Sequence, residues 1–527
     1  MILKPPRTTC LLSTASLAAL LLAVAPVAQA SNMEVLLERL HKKGVLTTDE
    51  YNEMRDMARA ERGQAARDKA LAAQAAESTQ AASRDAVVSK WKNALSWESG
   101  DGQHAVGLTG RMHFDYRDNS NGFAKNYDRD TSSLANNYEL RRAQLGVKGY
   151  FYKDIGYELV GSFVGSNTNT IDTALINLGY FKPVQLRVGR FTQPFNLEEI
   201  SGSNASDFLE ASYANQLSPA KKLGAMLHGQ PAKGVIYGIS VFQEGFNETT
   251  NETARGKQVA GRAAVNIADL AGWKDTVMHL GIAGTSGDYN LTPTTSSQTS
   301  AAASTTTRGT VVGFRSAGRG LTNIYRAQLA GDALTTATYS GASNTDAEVD
   351  RTLQGMELAA AYGPIKFQGE WVKAKIDGRH AATGSFVQGD LRVHYAQAMW
   401  NIMGESWSNA YRAGAFGGIA PKNNFNPGSG IGAWQLGLRY AKYDASGISV
   451  GNGTAAAGAA REQNSDIGNT ITLGLNWILN PNARIMLNYD RTRFNTAVTP
   501  VDVTLLPGQT NTAMDEKVFS IRGQVAF

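Results

Sequence analysis

The sequence predicts an all-β fold, a transmembrane antiparallel β-barrel of about sixteen strands preceded by an N-terminal α-helical or coiled-coil segment. Three observations carry that prediction. From Val106 onward, apolar and polar residues alternate with period two, in segments of about 9–12 residues, long enough to cross the hydrocarbon when tilted. After the opening segment, no stretch approaches the ~20 consecutive apolar residues of a membrane helix, so a closed barrel is the spanning structure that satisfies its backbone. At the end of the chain, Phe519, Ile521, Gly523, Val525 and Phe527 share one face and Ser520, Arg522 and Gln524 the other, a strict alternating strand closed by an aromatic. A sandwich in the periplasm would also alternate, but it needs a second sheet over each apolar face and usually shorter strands.

The elements follow in order. Residues 1–30 carry Lys4 and Arg7, an apolar run from about Leu11 to Val27, and Ala28-Gln29-Ala30 before Ser31, the pattern of a secretory signal peptide. Residues 31–104 are expected to form a periplasmic helical or coiled-coil segment and linker, with 33–92 helical. There Met33-Glu-Val-Leu-Leu-Glu-Arg-Leu40 repeats apolar residues at helical spacing, and Thr47 precedes Glu50 as in a capping box. The Ala-rich stretch from Met57 to Lys90 favours helix but gives a weak coiled-coil seam, so a loose linker is the alternative. The barrel domain is assigned to 105–527. Val106, Leu108, Met112, Phe114 and Tyr116 alternate with Thr109, Arg111, His113, Asp115 and Arg117, and the rhythm returns at 365–371, 434–440 and 471–477. Aromatics such as Tyr150, Phe151, Tyr180, Phe181, Tyr440 and Tyr443 cluster at strand ends, as an interfacial girdle requires. Short turns are expected at 151–154, 182–184, 363–364 and 480–482, and long polar surface loops at 288–309 and 445–467. The region 310–340 is read as loop rather than as an extra strand, because single-chain bacterial barrels have even strand numbers.

Composition excludes several functions. Cys10, the only cysteine, lies in the expected leader, which leaves no thiol for metal or redox chemistry. Without Lys4 and Arg7, 49 basic residues face 46 acidic ones, a net charge of +3 that gives no argument for nucleic acid. The seven histidines form no metal-binding spacing and no G-x-S-x-G occurs, so no cofactor, metal or catalytic residue is expected.

Five stretches resemble the phosphate-selective porin O and P family: Glu139-Leu-Arg-Arg-Ala-Gln-Leu-Gly-Val147, Arg187-Val-Gly-Arg-Phe-Thr-Gln-Pro-Phe-Asn-Leu-Glu198, Met403-Gly-Glu405, Trp434–Asp444 and Asn476–Asn482. They occur in the family's order across roughly 105–527. The resemblance implies a sixteen-stranded homotrimer in the outer-membrane lipid of a Gram-negative cell, with a third loop folded inward to narrow the pore and a role for both arginines of the first stretch. Residues 192–222 fit such a loop, because Phe195, Leu197, Ile200, Phe208, Leu209 and Tyr213 are too apolar for an exposed one. Asp207, three residues before Glu210, is expected to cap a short helix there.

Anions in a narrow pore lose hydration that Arg or Lys donors replace, and several moderate sites conduct better than one deep trap. Strand parity points Arg142, Gln144, Lys148 and Arg187 at the water-filled face, along with Arg262, Arg439 and Arg522. Arg141 has the lipid-side parity and reaches the lumen only if a bulge or strand end turns it. Lys221 and Lys222 follow the inward loop and are candidates for an exit. Arg308, Arg315, Arg319 and Arg326 resemble the family's arginine-bearing extracellular segment, and a funnel there would concentrate anions such as phosphate. Carboxylates such as Glu158, Glu357 and Glu370 are the expected partners of wall arginines. In one respect the chain departs from the family: Phe208-Leu-Glu-Ala211 has alanine where an arginine usually follows, which weakens the expectation of tight phosphate selectivity. The reading is therefore an anion-selective channel, with a general porin as one alternative. The other is an anchoring barrel tethered to the envelope through its N-terminal helices.

Overall fold

The computed structural model describes residues 27–91, 94–118, 137–164, 171–243, 257–288, 292–294, 308–319, 324–330, 347–380, 384–453, 460–498 and 512–527. The expected signal peptide lies almost entirely outside them.

Sixteen antiparallel strands close a barrel. In chain order they are β1 (Ala105–Asp118), β2 (Asn137–Phe151), β3 (Ile155–Ser162), β4 (Ile171–Phe181), β5 (Val184–Thr192), β6 (Lys221–Ala232), β7 (Val235–Gln243) and β8 (Lys257–Asn266). There follow β9 (Thr276–Asp288), β10 (Ala347–Tyr362), β11 (Ile365–His380), β12 (Phe386–Asn401), β13 (Ala433–Gly451), β14 (Ile467–Asn480), β15 (Ala483–Val498) and β16 (Ala513–Ala526). Each strand pairs with the next, and β16 pairs back onto β1 from Phe519↔Asp118 to Ala526↔Arg111. The terminal Phe527 completes the seam: its N–H donates to Gly110 O at 3.0 Å and its carbonyl accepts from Gly110 N–H at 2.9 Å. Closure leaves no free edge within the sixteen-stranded wall, which a hydrocarbon environment requires.

Parity sorts the side chains. Ile239, Ile282, Leu438 and Leu473 are exposed on the outer wall, while their strand neighbours Ser240, Arg439 and Thr472 are buried inside. This inverts the soluble pattern, because lipid rather than water meets the apolar face. Two-residue turns at 182–183, 363–364 and 481–482 mark the periplasmic end, since the long connections of such barrels face outward. The connection 402–432 is a long exception on that periplasmic side.

Four sequence expectations need correction. The region 310–340 is not simply loop: Arg308–Phe314 and Tyr325–Ala330 pair as a hairpin. Thr292–Thr294 and Ala460–Asn464 flank it in a separate four-stranded sheet. It adds no wall strand, because Val311, Phe314, Ile324, Tyr325, Ala327 and Leu329 bury against the inner faces of Leu353, Val372, Ile376, Leu391 and Tyr443. The expected loop 445–467 is in part the outer end of β13 and the Ala460–Asn464 strand of that sheet. The expected helix at 33–92 ends at Asp85, and Val87–Trp91 is a strand, as the β-branched pair Val87-Val88 favours. Asp207 caps no helix; Asn196 and Ser212 precede the two short helices of that region.

The N-terminal unit, described by itself, holds α1 (Val27–Lys42) and α2 (Thr48–Asp85). Thr47 and Glu50 form a reciprocal capping box at the start of α2. Leu37 is buried, Arg62 pairs with Glu34 at 2.8 Å, and His41 stacks on Tyr51 with ring centroids 4.7 Å apart.

Candidate functional site

Residues 193–220 leave β5 and fold into the lumen, carrying the helices α3 (Leu197–Ser201) and α4 (Tyr213–Leu217). Phe195, Leu197, Phe208, Leu209 and Tyr213 are all buried, so the loop brings its own apolar core inside the wall. Phe208 sits in a notch made by two glycines paired across β13 and β14. A Cβ on Gly437 or Gly474 would lie within 3.0 Å of its ring.

Charged side chains fix the rest of the loop. Lys366 Nζ on β11 donates to Asp207 at 2.6 Å and lies 3.9 Å from the Trp407 ring centroid. Glu370 accepts from the backbone N–H groups of Leu197 at 3.0 Å and Glu198 at 2.8 Å, at the start of α3. Arg439 pairs with Glu198 at 3.3 Å, and Arg484 donates to Ser206 O at 2.9 Å. These buried groups are matched to partners, without which each would carry a large desolvation cost.

Opposite the loop, β2 carries a bulge. His113 pairs with Arg142 and Phe114 with Leu140, so Arg141 is an extra residue. The bulge turns it away from the lipid side, and Arg141 reaches Glu210 of the inward loop at 3.1 Å. Glu210 is shared by four guanidiniums: Arg117 at 3.0 Å, Arg141 at 3.1 Å, Arg522 at 3.1 Å and Arg319 at 3.7 Å. Burial raises the pKa of this loop carboxyl, but the four cations outweigh it and hold the group well below the usual carboxylate range. A second bulge places Asp172 of β4 opposite no partner, where Lys221 binds it and Arg111 lies 3.8 Å away.

Between the loop and the β1–β8 wall lies a cavity of about 1300 Å³. Its charged lining comprises ten basic residues (Arg111, Arg141, Arg142, Arg187, Arg190, Lys221, Arg262, Arg315, Arg319 and Arg326) against five acidic ones (Glu158, Asp172, Glu198, Glu199 and Glu210). Arg142 and Arg187 have no carboxylate within ion-pair distance among the described residues; Arg142 meets His113 at 3.5 Å and Arg187 meets Asn177 at 3.4 Å. The turn that ends in Arg319 brings the extracellular segment inward, and Arg319 itself adopts φ 59°. Arg315 is exposed and Arg326 buried, both on the cavity. Lys148 and Lys222 fall outside its lining, and the side chain of Arg308 lies outside what is described.

Arg262 is anchored to Glu357 through two contacts of 2.8 and 2.7 Å, and Arg522 to Asp115 through two of 2.6 and 2.7 Å. Glu357 also meets His279, whose other ring nitrogen contacts Tyr411 of the periplasmic connection. Arg111 and Arg190 join this lining, and Glu210 is its hub, beyond the residues that the sequence singles out. Arg111 had the water-facing parity; the partners of Glu210 come from β1, β2, β16 and the outer hairpin, which no local pattern connects. Ala211 lines the cavity beside Glu210.

Such a lining offers guanidinium donors and excess positive charge to a partly dehydrated anion, and no described group of three or more His, Cys, Asp or Glu could hold a metal ion. A family model described as phosphate-selective porin O and P matches residues 106–527. Porin O of Pseudomonas aeruginosa is 25% identical over 431 residues, covering 80% of this chain and 90% of that protein. Among solved structures, an anion-selective porin from Comamonas acidovorans aligns at 12% identity and TM-score 0.43, covering 80% of this chain and 100% of that one. The outer membrane channel DcaP of Acinetobacter baumannii aligns at 10% identity and TM-score 0.41, covering 80% and 97%.

Proposed function

The chain belongs to the phosphate-selective porin O and P family and is an outer-membrane channel rather than an enzyme; from that premise we propose that it passes small anions, phosphate-like ones among them, through an arginine-lined constriction. The observation that carries this reading is the lining of the cavity, ten basic residues against five acidic, with Arg142 and Arg187 holding no carboxylate of their own. In that arrangement the anchored arginines shape the field, and the two without carboxylates exchange water for solute oxygens. Arg141, Arg319, Arg315, Arg326 and Lys221 extend the path above and beside them, while Lys148 and Lys222 are its weakest members.

Ala211 supports a milder selectivity, since one bidentate donor is absent next to Glu210. The homotrimer belongs to the same reading, as does an envelope contact through the N-terminal helices. Planar-bilayer conductance with reversal potentials in asymmetric KCl, and phosphate as competitor, tests the proposal. Anion-selective steps that phosphate blocks, with a weaker block in Arg142→Ala, support it. Anion or mixed selectivity without block leaves a general porin, and no conductance sinks the channel reading in favour of an anchor.

A further inference from the structure

The outer face of the barrel changes chemistry along part of its circumference. On β11, β13, β15 and β16 an aromatic at the outward face is followed, two residues nearer the outer end on the same face, by a cation. The pairs are Trp371 and Lys373, Tyr440 and Lys442, Tyr489 and Arg491, and Phe519 and Lys517. Tyr440, Tyr489 and Phe519 are 41%, 43% and 39% exposed, and the residues between each pair are buried inside. Aromatics of this kind mark the membrane interface, so the cations lie at headgroup level of the outer leaflet.

Cross-strand register sets some of these cations against one another. Lys373 stands directly opposite Arg392 of β12 and Arg491 directly opposite Lys517, while Asp444 stands opposite Arg392 on its other side and Asp515 opposite Arg493. Like charges facing across strands are destabilising. Asp390 pairs with Lys373 at 2.6 Å, Asp444 with Lys442 at 3.0 Å and Asp515 with Arg491 at 3.3 Å. Arg392 and Arg493 are exposed and have no carboxylate within 4.0 Å among the described residues. The adjoining rim is the reverse: Asp288, Asp350 and Asp377 face one another across β9, β10 and β11. The cationic stretch is therefore a local face rather than a general property of the outer end.

We propose that the outward face of β11–β16 binds the phosphate groups of a phosphorylated glycolipid of the outer leaflet, whose acyl chains lie on the apolar band below. Arginine and lysine donors match phosphate oxygens, the aromatic row seats the sugar–acyl boundary, and Arg392 and Arg493 are exposed and hold no ion pair among the described residues, which leaves their guanidiniums open to the phosphate. The face lies outside the lumen, so the proposal depends only on the outer-membrane placement and not on what the channel carries.

Native mass spectrometry of the full chain in detergent, with bisphosphorylated lipid A as probe, tests it. Retention of lipid A is expected, together with loss of retention for the dephosphorylated lipid. Each neutralised cation should weaken binding about fivefold, so Arg392→Gln combined with Lys442→Gln and Arg491→Gln should abolish retention while single-channel conductance stays unchanged. Equal retention of the dephosphorylated lipid, or equal retention by the triple variant, overturns the proposal. So does equally strong competition by inorganic phosphate for the retained lipid A, which assigns the face to free anions. A change in oligomeric mass of the triple variant also overturns it, because a second copy would then cover the face.

Discussion

Replacing Glu210 by Gln should convert a shaped constriction into a deeper anion site. The carboxylate is shared by four guanidiniums, but these are not equivalent. Arg522 and Arg117 keep Asp115 as a partner, through contacts of 2.6 Å or less, so neither is left buried without a counter-charge. Arg141 and Arg319, with side chains 23% and 21% exposed, lose their ion-pair partner at the loop and turn to the cavity. The charged lining goes from ten basic against five acidic to ten against four. An anion passing about 7 Å from the carboxyl loses a repulsion of roughly 0.6 kcal/mol at the dielectric of water and roughly 2.4 kcal/mol at an effective value of 20. Phosphate should therefore block chloride current about 3- to 60-fold more tightly. Chloride conductance should fall as well, because a deeper site releases its ion more slowly. The assay is single-channel recording in KCl with added phosphate, on protein whose heat-modifiable migration shows a closed barrel. An unchanged or weaker block in correctly folded protein would refute the role given to Glu210.

Other consequences follow from the same geometry. Arg142→Ala should weaken phosphate block without closing the channel, read in the same bilayer assay, whereas Arg262→Ala should first lower barrel stability because Glu357 loses its bidentate partner. Lys366→Ala strands the buried Asp207 and should cost about 3–5 kcal/mol, seen as noisier, larger conductance steps or a lower melting temperature. Gly474→Val should push Phe208 out of its notch toward the cavity and narrow the constriction, measured by the largest neutral solute that passes. For acid, the sign is that of a depressed carboxylate: the Glu210 clamp is fully present above the ordinary carboxylate pKa and is lost only as pH falls through its lowered folded value. The Glu210 share of selectivity, read as the difference between the unaltered protein and Glu210→Gln, should then stay constant from pH 7 to pH 5, and a change in that difference near pH 5 would contradict the clamp. Deleting residues 31–92 should leave conductance intact, and its loss would favour the anchoring alternative.

The sequence alone determined the spanning architecture, because lipid imposes a rule that acts residue by residue. An outward position must be apolar and its neighbour faces the lumen, so Val106–Tyr116 and Phe519–Phe527 declare their faces without any knowledge of the partners. The short turns and the inward position of Arg142 and Arg187 were legible for the same reason. Arg141 shows where parity stops: only the bulge against His113 and Phe114 decides its side, and bulges arise from the pairing of two strands. The hairpin at 308–330 read as loop because its short runs bury against the inner wall, and the wall residues that cover them, such as Val372 and Tyr443, lie far away in sequence. The same holds for the hub at Glu210, whose four cations are brought together by barrel closure and by two segments folding inward. What remained to the tertiary structure was which lumen arginines are bound to carboxylates and which are open to solute, because a charge's partner depends on distances that no local pattern contains.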